Sequence, residues 1–207
     1  MLWEVLFVIA VVIALISLFW WITRSASERI VAQYSLMADR FDVELTVPPP
    51  QLGGFIRPEP FLHGTYRNSE FSISVPGKGL QNTRQIESML KMEVANKEID
   101  LQMGLSSGMS RFSRSEGGKQ KAWKSGDANF DTTIAVRTAT PEKLDALLTA
   151  DARDAFLKLL KGSKGTIYMG KGTLTFAEYG LIADAAKREL FQQAVETFCD
   201  FSESLEN

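Results

Sequence analysis

The first apolar stretch is unlike any that follows. Leu2 to Ile22 reads LWEVLFVIAVVIALISLFWWI, apolar throughout except for Glu4 and Ser17. At about 1.5 Å per helical residue such a run crosses roughly 30 Å of hydrocarbon, the thickness of a bilayer core. Trp3 stands at one end and Trp20 and Trp21 at the other, where amphipathic rings favour the headgroup level, and Arg24 closes the run as a polar stop. These four residues are the expected membrane-interface anchors. Glu4 lies near enough to the helix N-terminus to reach water and to favour the helix dipole. A cleaved secretory signal is the competing reading. It requires a basic leader and a shorter apolar core, and neither is present. Ala10 and Ala14 have the spacing that lets two spanning helices approach, although alanine is common in any apolar run.

After the anchor the pattern becomes amphipathic. Ile30, Tyr34, Met37 and Phe41 recur at intervals of four, three and four, which predicts a helix with one apolar face. That face either lies on the bilayer or packs on the following domain, and packing is the more frequent outcome. Asp42 to Val47 alternates like a strand, Pro48 to Pro50 is stiff and extended, and Gly53-Gly54 is flexible. The organisation expected is an anchor at 1–24, a juxtamembrane amphipathic helix at 25–42 and a soluble domain at 43–207.

Within that domain, Phe61 to Asn68 and Glu70 to Val75 read as a hairpin closed by Pro76-Gly77-Lys78-Gly79. Ile86 to Ala95 has helix-forming composition, but Met92 and Val94 alternate with charges, which favours a strand. Ile99, Leu101, Met103 and Leu105 occupy every second position, predicting a strand with one buried and one wet face after a turn at Asn96-Lys97. GDANFD at Gly126 to Asp131 leads into the strand TTIAVRT. Thr140 and Pro141 then suit the start of a helix with Leu144, Leu147 and Leu148 on its apolar face. A second helix over 151–161 should stop at Gly162 in a left-handed conformation. Thr166 to Met169 and Thr173 to Tyr179 form another hairpin, and Leu181 to Leu205 a long helix burying Leu190, Phe191, Ala194, Phe198 and Phe201. Short strands joined by tight turns predict an α+β fold, a mainly antiparallel sheet with helices on one face, behind an N-terminal transmembrane helix.

Composition narrows the chemistry. Lys and Arg total 23 against 25 Asp and Glu, so no global field draws the chain to nucleic acid. One cysteine, Cys199, and one histidine, His63, cannot make an intrachain disulfide or a zinc site. GTIYMGK at Gly165 to Lys171 has P-loop glycine and lysine spacing. It lacks the Ser or Thr for magnesium and the following helix to cap phosphates. Asp127, Asn129 and Asp131 match the first calcium-loop positions, but Thr132 and Thr138 replace the required Gly and Glu, which favours a self-bonded turn. The reading therefore assigns no catalytic residue, no metal and no cofactor.

One local basic patch remains. Arg111, Arg114, Lys119, Lys121 and Lys124 face only Glu116 across 111–124, with Phe112 and Trp123 at its edges. A solvated loop is the ordinary fate of such a segment, contact with anionic lipid the next, and nucleic acid the least favoured.

GDANFD followed by a strand and a leucine-rich helix, behind paired strands and an N-terminal anchor, resembles uncharacterised bacterial single-span membrane proteins. That resemblance implies the architecture and brings no known reaction. The expected partners are the lipid bilayer and a membrane or envelope protein, with the soluble domain on the cytoplasmic side by the positive-inside tendency of Arg24 and Arg29. A non-enzymatic binding or assembly domain is the first functional reading. Lipid binding through the basic loop is the second, and a hydrolase or transferase without a recognisable motif the third.

Overall fold

A computed structural model describes residues 2–76, 86–107 and 120–206. The chain begins with one unbroken 40-residue helix, α1 (Leu2–Phe41). Its N-terminal part is bare, with the most apolar 18-residue window 0% buried against the rest of the chain. Its C-terminal part is not. Ile30, Tyr34, Met37, Ala38 and Phe41 are buried in the domain core, so the amphipathic face packs on protein. No break separates the membrane-length segment from the packed one.

Strand β1 (Glu44–Thr46) follows, then a 3-10 turn at Leu52–Gly54 and the hairpin β2 (Phe61–Tyr66) and β3 (Ser69–Ser74). Strands β4 (Glu87–Glu93), β5 (Leu101–Leu105) and β6 (Lys121–Trp123) precede a short helix α2 (Ala128–Thr133) and β7 (Ile134–Thr138). Helices α3 (Pro141–Leu147) and α4 (Ala150–Lys161), the hairpin β8 (Thr166–Gly170) and β9 (Thr173–Tyr179), and α5 (Ala185–Glu206) complete the chain. The hairpin closure at 77–79 lies outside the described residues.

Among the described residues nine strands form one sheet, every pair antiparallel, in the order β1-β2-β3-β4-β9-β8-β5-β7-β6. The registers align one apolar residue per strand. Leu45, Leu62, Ile73, Leu90, Phe176, Ile167, Met103, Val136 and Trp123 are partners in succession across the whole sheet. Paired residues in an antiparallel ladder share a face, so this row is a continuous apolar floor. All of it is buried apart from half-buried Leu45. Against it lie Phe156, Leu159 and Leu160 of α4 and Phe191, Val195 and Phe198 of α5, with ring pairs Phe176–Phe191 at 5.4 Å and Phe156–Phe201 at 5.1 Å.

The structure corrects several local expectations. β4 and β5 are not neighbours, because the β8–β9 hairpin is inserted between them; Asn96-Lys97 thus starts a crossing and not a hairpin. The wet face expected for β5 is buried at Gln102 and Gly104, since β8 and β7 flank the strand on both sides. Gly162 ends α4 at φ −79°, with its N–H bonded to the Lys158 carbonyl, so no left-handed stop is used. Thr140 makes no side-chain cap; Thr138 Oγ1 instead accepts the Thr140 N–H at 2.9 Å. The long C-terminal helix starts at Ala185 rather than Leu181, where the Asp184 carboxylate accepts the Lys187 N–H at 2.8 Å.

Candidate functional site

The features predicted from sequence fall at different places in the fold. GDANFD is a self-bonded turn that runs into α2. Asp127 Oδ1 accepts the N–H groups of Asn129 and Phe130, capping the helix, and Asp131 accepts those of Ser125 and Gly126 at 2.9 and 3.0 Å. Burial acts to raise the Asp131 carboxyl, but these Ser125 and Gly126 donors outweigh it and hold it below its ordinary value. Both carboxylates are thus engaged by main chain.

Gly165 of the P-loop-like stretch serves packing, because a Cβ there would stand 2.4 Å from the Phe176 ring. Lys171 and Gly172 form the β8–β9 turn at φ 53° and 79°. His63 lies on the open face of β2 with Nε2 3.4 Å from Glu44 Oε2. Cys199 is buried on α5, where burial pushes its thiol up to about 11.

Of the basic patch, Arg111, Arg114 and Lys119 lie outside the described residues. Lys121 and Lys124 are exposed beside β6, the outermost strand at the edge opposite β1. Trp123 is turned inward and donates its indole N–H to Asp145 Oδ1 at 3.0 Å, so it offers no stacking face beside those lysines.

The four residues expected as interface anchors have different surroundings. Trp3 and Trp21 are exposed, whereas Trp20 is half-buried. What covers Trp20 is the loop after β1. Gln51 and Ile56 exchange main-chain hydrogen bonds at 2.7 and 3.2 Å, closing a tight loop whose turn, Leu52, Gly53 and Gly54, has φ of 48°, 66° and 94°. Three consecutive left-handed residues aim the loop back along α1. Phe55 stacks on Phe19 with ring centroids 6.4 Å apart and planes at 14°. Gly54 approaches so closely that a Cβ would lie 3.1 Å from Trp20 Nε1 and 3.6 Å from Arg57 Nη2. On another side of Trp20 the Arg24 guanidinium sits 5.3 Å from the ring, held by Glu28 at 2.7 Å. Thr23 returns its hydroxyl to the Phe19 and Trp20 carbonyls, while the buried Arg57 Nε has no hydrogen-bond partner among the described residues.

Just domainward of this level is a groove of 290 Å³ between α1 and the proline stretch, lined by Ser27, Glu28, Val31, Val47, Pro48 and Arg57. Beyond it a polar cluster is enclosed between α1, β4, β9 and α5. Ser88 and Glu178 are cross-strand partners on the buried face, and Ser88 donates to the Gly180 carbonyl at 2.8 Å. Lys187 pairs with Glu178 at 3.4 Å and donates to the Tyr179 carbonyl. Tyr34 is fully buried, its hydroxyl near the Ser88 side chain but without a well-formed hydrogen bond; burial, then the Glu59 carboxylate, raise its ionisation well above the ordinary phenol value, against the opposing effect of Ser88. Ser88 is spent on main chain, so the cluster joins helices to sheet and presents no activated nucleophile.

Two further depressions exist. One, of 200 Å³, lies on the open sheet face among His63, Glu70, Ser72, Lys91, Glu93 and Thr173. The other, of 310 Å³, lies between α4 and α5 around Thr149, Asp151, Phe156, Thr197, Asp200 and Ser204. Neither converges polar groups on a point. Sequence reasoning missed the contact between the 51–57 loop and α1. Its signal was available in three large apolar side chains, Leu52, Phe55 and Ile56, inside a segment punctuated by Pro and Gly.

No protein-family profile matches the chain, and no curated protein matches it by sequence. Among solved structures its fold is similar to that of the mycobacterial trehalose monomycolate transport factor A, TtfA. The TM-score is 0.57 at 8% identity, and the match covers 87% of this chain and 96% of that one. The likeness at this identity is one of fold.

Proposed function

We propose that this chain is a single-pass, membrane-tethered binding or assembly domain that joins other membrane or envelope components, with its soluble part on the cytoplasmic side. Its parts on this reading are the anchor at 1–24, the helical stem at 25–42 and the domain at 43–207. The observation that carries it is the continuity of α1. One helix supplies both the bare membrane-length segment and five buried core residues, so the domain is held at the bilayer by a stem and not by a slack linker. A catalyst diffusing to a soluble substrate gains nothing from that stiffness, whereas a module that must meet a neighbour in the same membrane does. The fold shared with a protein named as a transport factor fits such an accessory role. The cytoplasmic side follows from Arg24 and Arg29 at the domain end of the span.

The test uses the buried state of Cys199, which leaves an introduced cysteine as the reactive one. With Thr149→Cys in the full chain, a membrane-impermeant maleimide is expected to label only after the membrane is opened; labelling of intact cells overturns the orientation. A photo-reactive residue at Asp154 or Lys158, both exposed on α4, is expected to give discrete adducts in membranes. Their uniform absence from every exposed helix position overturns the assembly reading.

A further inference from the structure

We propose that the loop 51–57 is a second membrane contact, a wedge that inserts Leu52, Phe55 and Ile56 into the interfacial layer of the bilayer beside α1 and fixes the orientation of the domain. The inference rests on reading α1 as a membrane span. It adds that a segment distant from the span in sequence shares its lipid environment.

The argument is one of depth. The apolar run ends at Ile22, and Phe19 lies three residues inside that end, about 4.5 Å deeper at 1.5 Å per residue. Phe55 is stacked on Phe19. Two rings in contact cannot occupy different solvents, so wherever Phe19 meets lipid, Phe55 meets it too. Leu52 and Ile56, in the same loop, are 73% and 48% exposed, and neither they nor Phe55 belong to the buried core. In water these side chains would form an exposed apolar patch continuous with α1; at the headgroup boundary they are solvated by acyl chains.

The backbone is built for this placement. Leu52 adopts φ 48°, an uncommon conformation for a branched residue with a Cβ, and it is held there by the Gln51–Ile56 ladder. Leu52 is thereby set at the tip while Gly54, which has no side chain, slides against Trp20. Arg57 and Arg24 both stand beside Trp20, at the height where lipid phosphates are found. Pro48 to Pro50 makes the approach stiff, so the tip is presented at a set distance from β1. A single helix crossing a bilayer is free to spin and tilt; a second contact to one side of it removes the spin and limits the tilt. The exposed helices and sheet edges of the domain are then offered in one direction.

Spin labels in the full chain, reconstituted into phosphatidylcholine–phosphatidylglycerol vesicles, test this. Labels are placed at Leu52→Cys, Ile56→Cys, Val12→Cys and Thr149→Cys, and collisions with oxygen are compared with those of a water-soluble nickel chelate. All four positions are exposed in the fold; Thr149 also caps α4 by accepting the Ala152 N–H, and losing that cap costs some stability, so far-UV circular dichroism of each labelled chain checks that it is folded. Oxygen collisions exceeding chelate collisions at positions 12, 52 and 56, with the reverse at 149, is the expected result. Chelate-dominated signals at 52 and 56 with an oxygen-dominated signal at 12 overturn the wedge and leave the span standing. A chelate-dominated signal at 12 overturns the span itself, and the wedge with it.

Discussion

Phe41, the last residue of α1, meets Tyr66 of β2 edge-to-face, with ring centroids 4.9 Å apart and planes at 67°. The same ring meets Phe71 of β3 at 5.7 Å and 82°. The helix that carries the membrane-length segment therefore ends inside an aromatic corner of the sheet. Arg40 beside it reaches Glu196 of α5 at 2.5 Å, so the stem is seated on both layers of the domain at once.

Truncating that corner should loosen stem and domain together. Phe41→Ala removes a buried aromatic side chain and is expected to cost about 3–5 kcal/mol, as such deletions do where the cavity cannot collapse. Arg40→Ala, at a half-exposed ion pair, should cost no more than about 1 kcal/mol. Denaturant unfolding of the full chain in detergent compares the two. Equal losses would show that the aromatic corner is not where the stem is held.

Tyr34 offers the opposite sign. Its hydroxyl is buried without a well-formed hydrogen bond, since the nearby Ser88 donates to the Gly180 carbonyl instead, and a poorly paired polar group in the core is a cost to the fold. Tyr34→Phe removes that oxygen and keeps the ring, so stability should stay level or rise by about 1 kcal/mol. A marked loss of melting temperature would mean that the phenol makes a bond that matters.

Gly165, just before β8, and Gly170, the last residue of β8, differ in what surrounds them. A Cβ at 165 would enter the Phe176 ring, whereas nothing lies within 4 Å of one at 170. Gly165→Ala is expected to lose about 1–3 kcal/mol through overpacking, and Gly170→Ala to stay within about 0.5 kcal/mol of the parent. If ATP or another nucleotide protected the protein from unfolding, and Gly165→Ala abolished that protection, the packing role assigned here would be insufficient.

Two titrations should frame the stability profile. Cys199 is raised from 9.0 to about 11 by burial. The unfolded thiol therefore ionises first, and the stability it contributes is complete below pH 9 and lost as pH rises toward 11. Cys199→Ala should flatten that alkaline decline. Asp131 is depressed below 3.8 by the Ser125 and Gly126 donors despite burial. Its contribution is present above that pH and lost as pH falls further, and Asp131→Asn should flatten the acid limb. Calcium should not shift the melting temperature, because both turn carboxylates are already committed to main-chain N–H groups; a shift of several degrees would contradict the turn assignment.

Much of the architecture was legible locally. Period-two alternation marked β3 and β4, the turn residues Gly170-Lys171-Gly172 marked the β8–β9 hairpin, and the four-three-four spacing of Ile30, Tyr34, Met37 and Phe41 named four of the five residues that α1 buries, Ala38 being the fifth. Less of the candidate site was. The basic residues were visible because charge is a property of single positions. The 51–57 loop was not, because its meaning lies in which distant surface it touches.

The chain by itself determined the things that depend on near neighbours along it: a run too apolar and too long to rest in water, the period of each element, and hence which side chains would seek cover. Only the tertiary structure decided which strand lies beside which. The insertion of β8–β9 between β4 and β5 buried Gln102, and the return of Leu52 to Ile56 to the side of Phe19 set a loop against the membrane-length part of α1. The physical reason is that a hydrophobic pattern states that a face must be buried without stating against what. That choice is made when the faces, the turns and the fit of Gly54 against Trp20 are satisfied together.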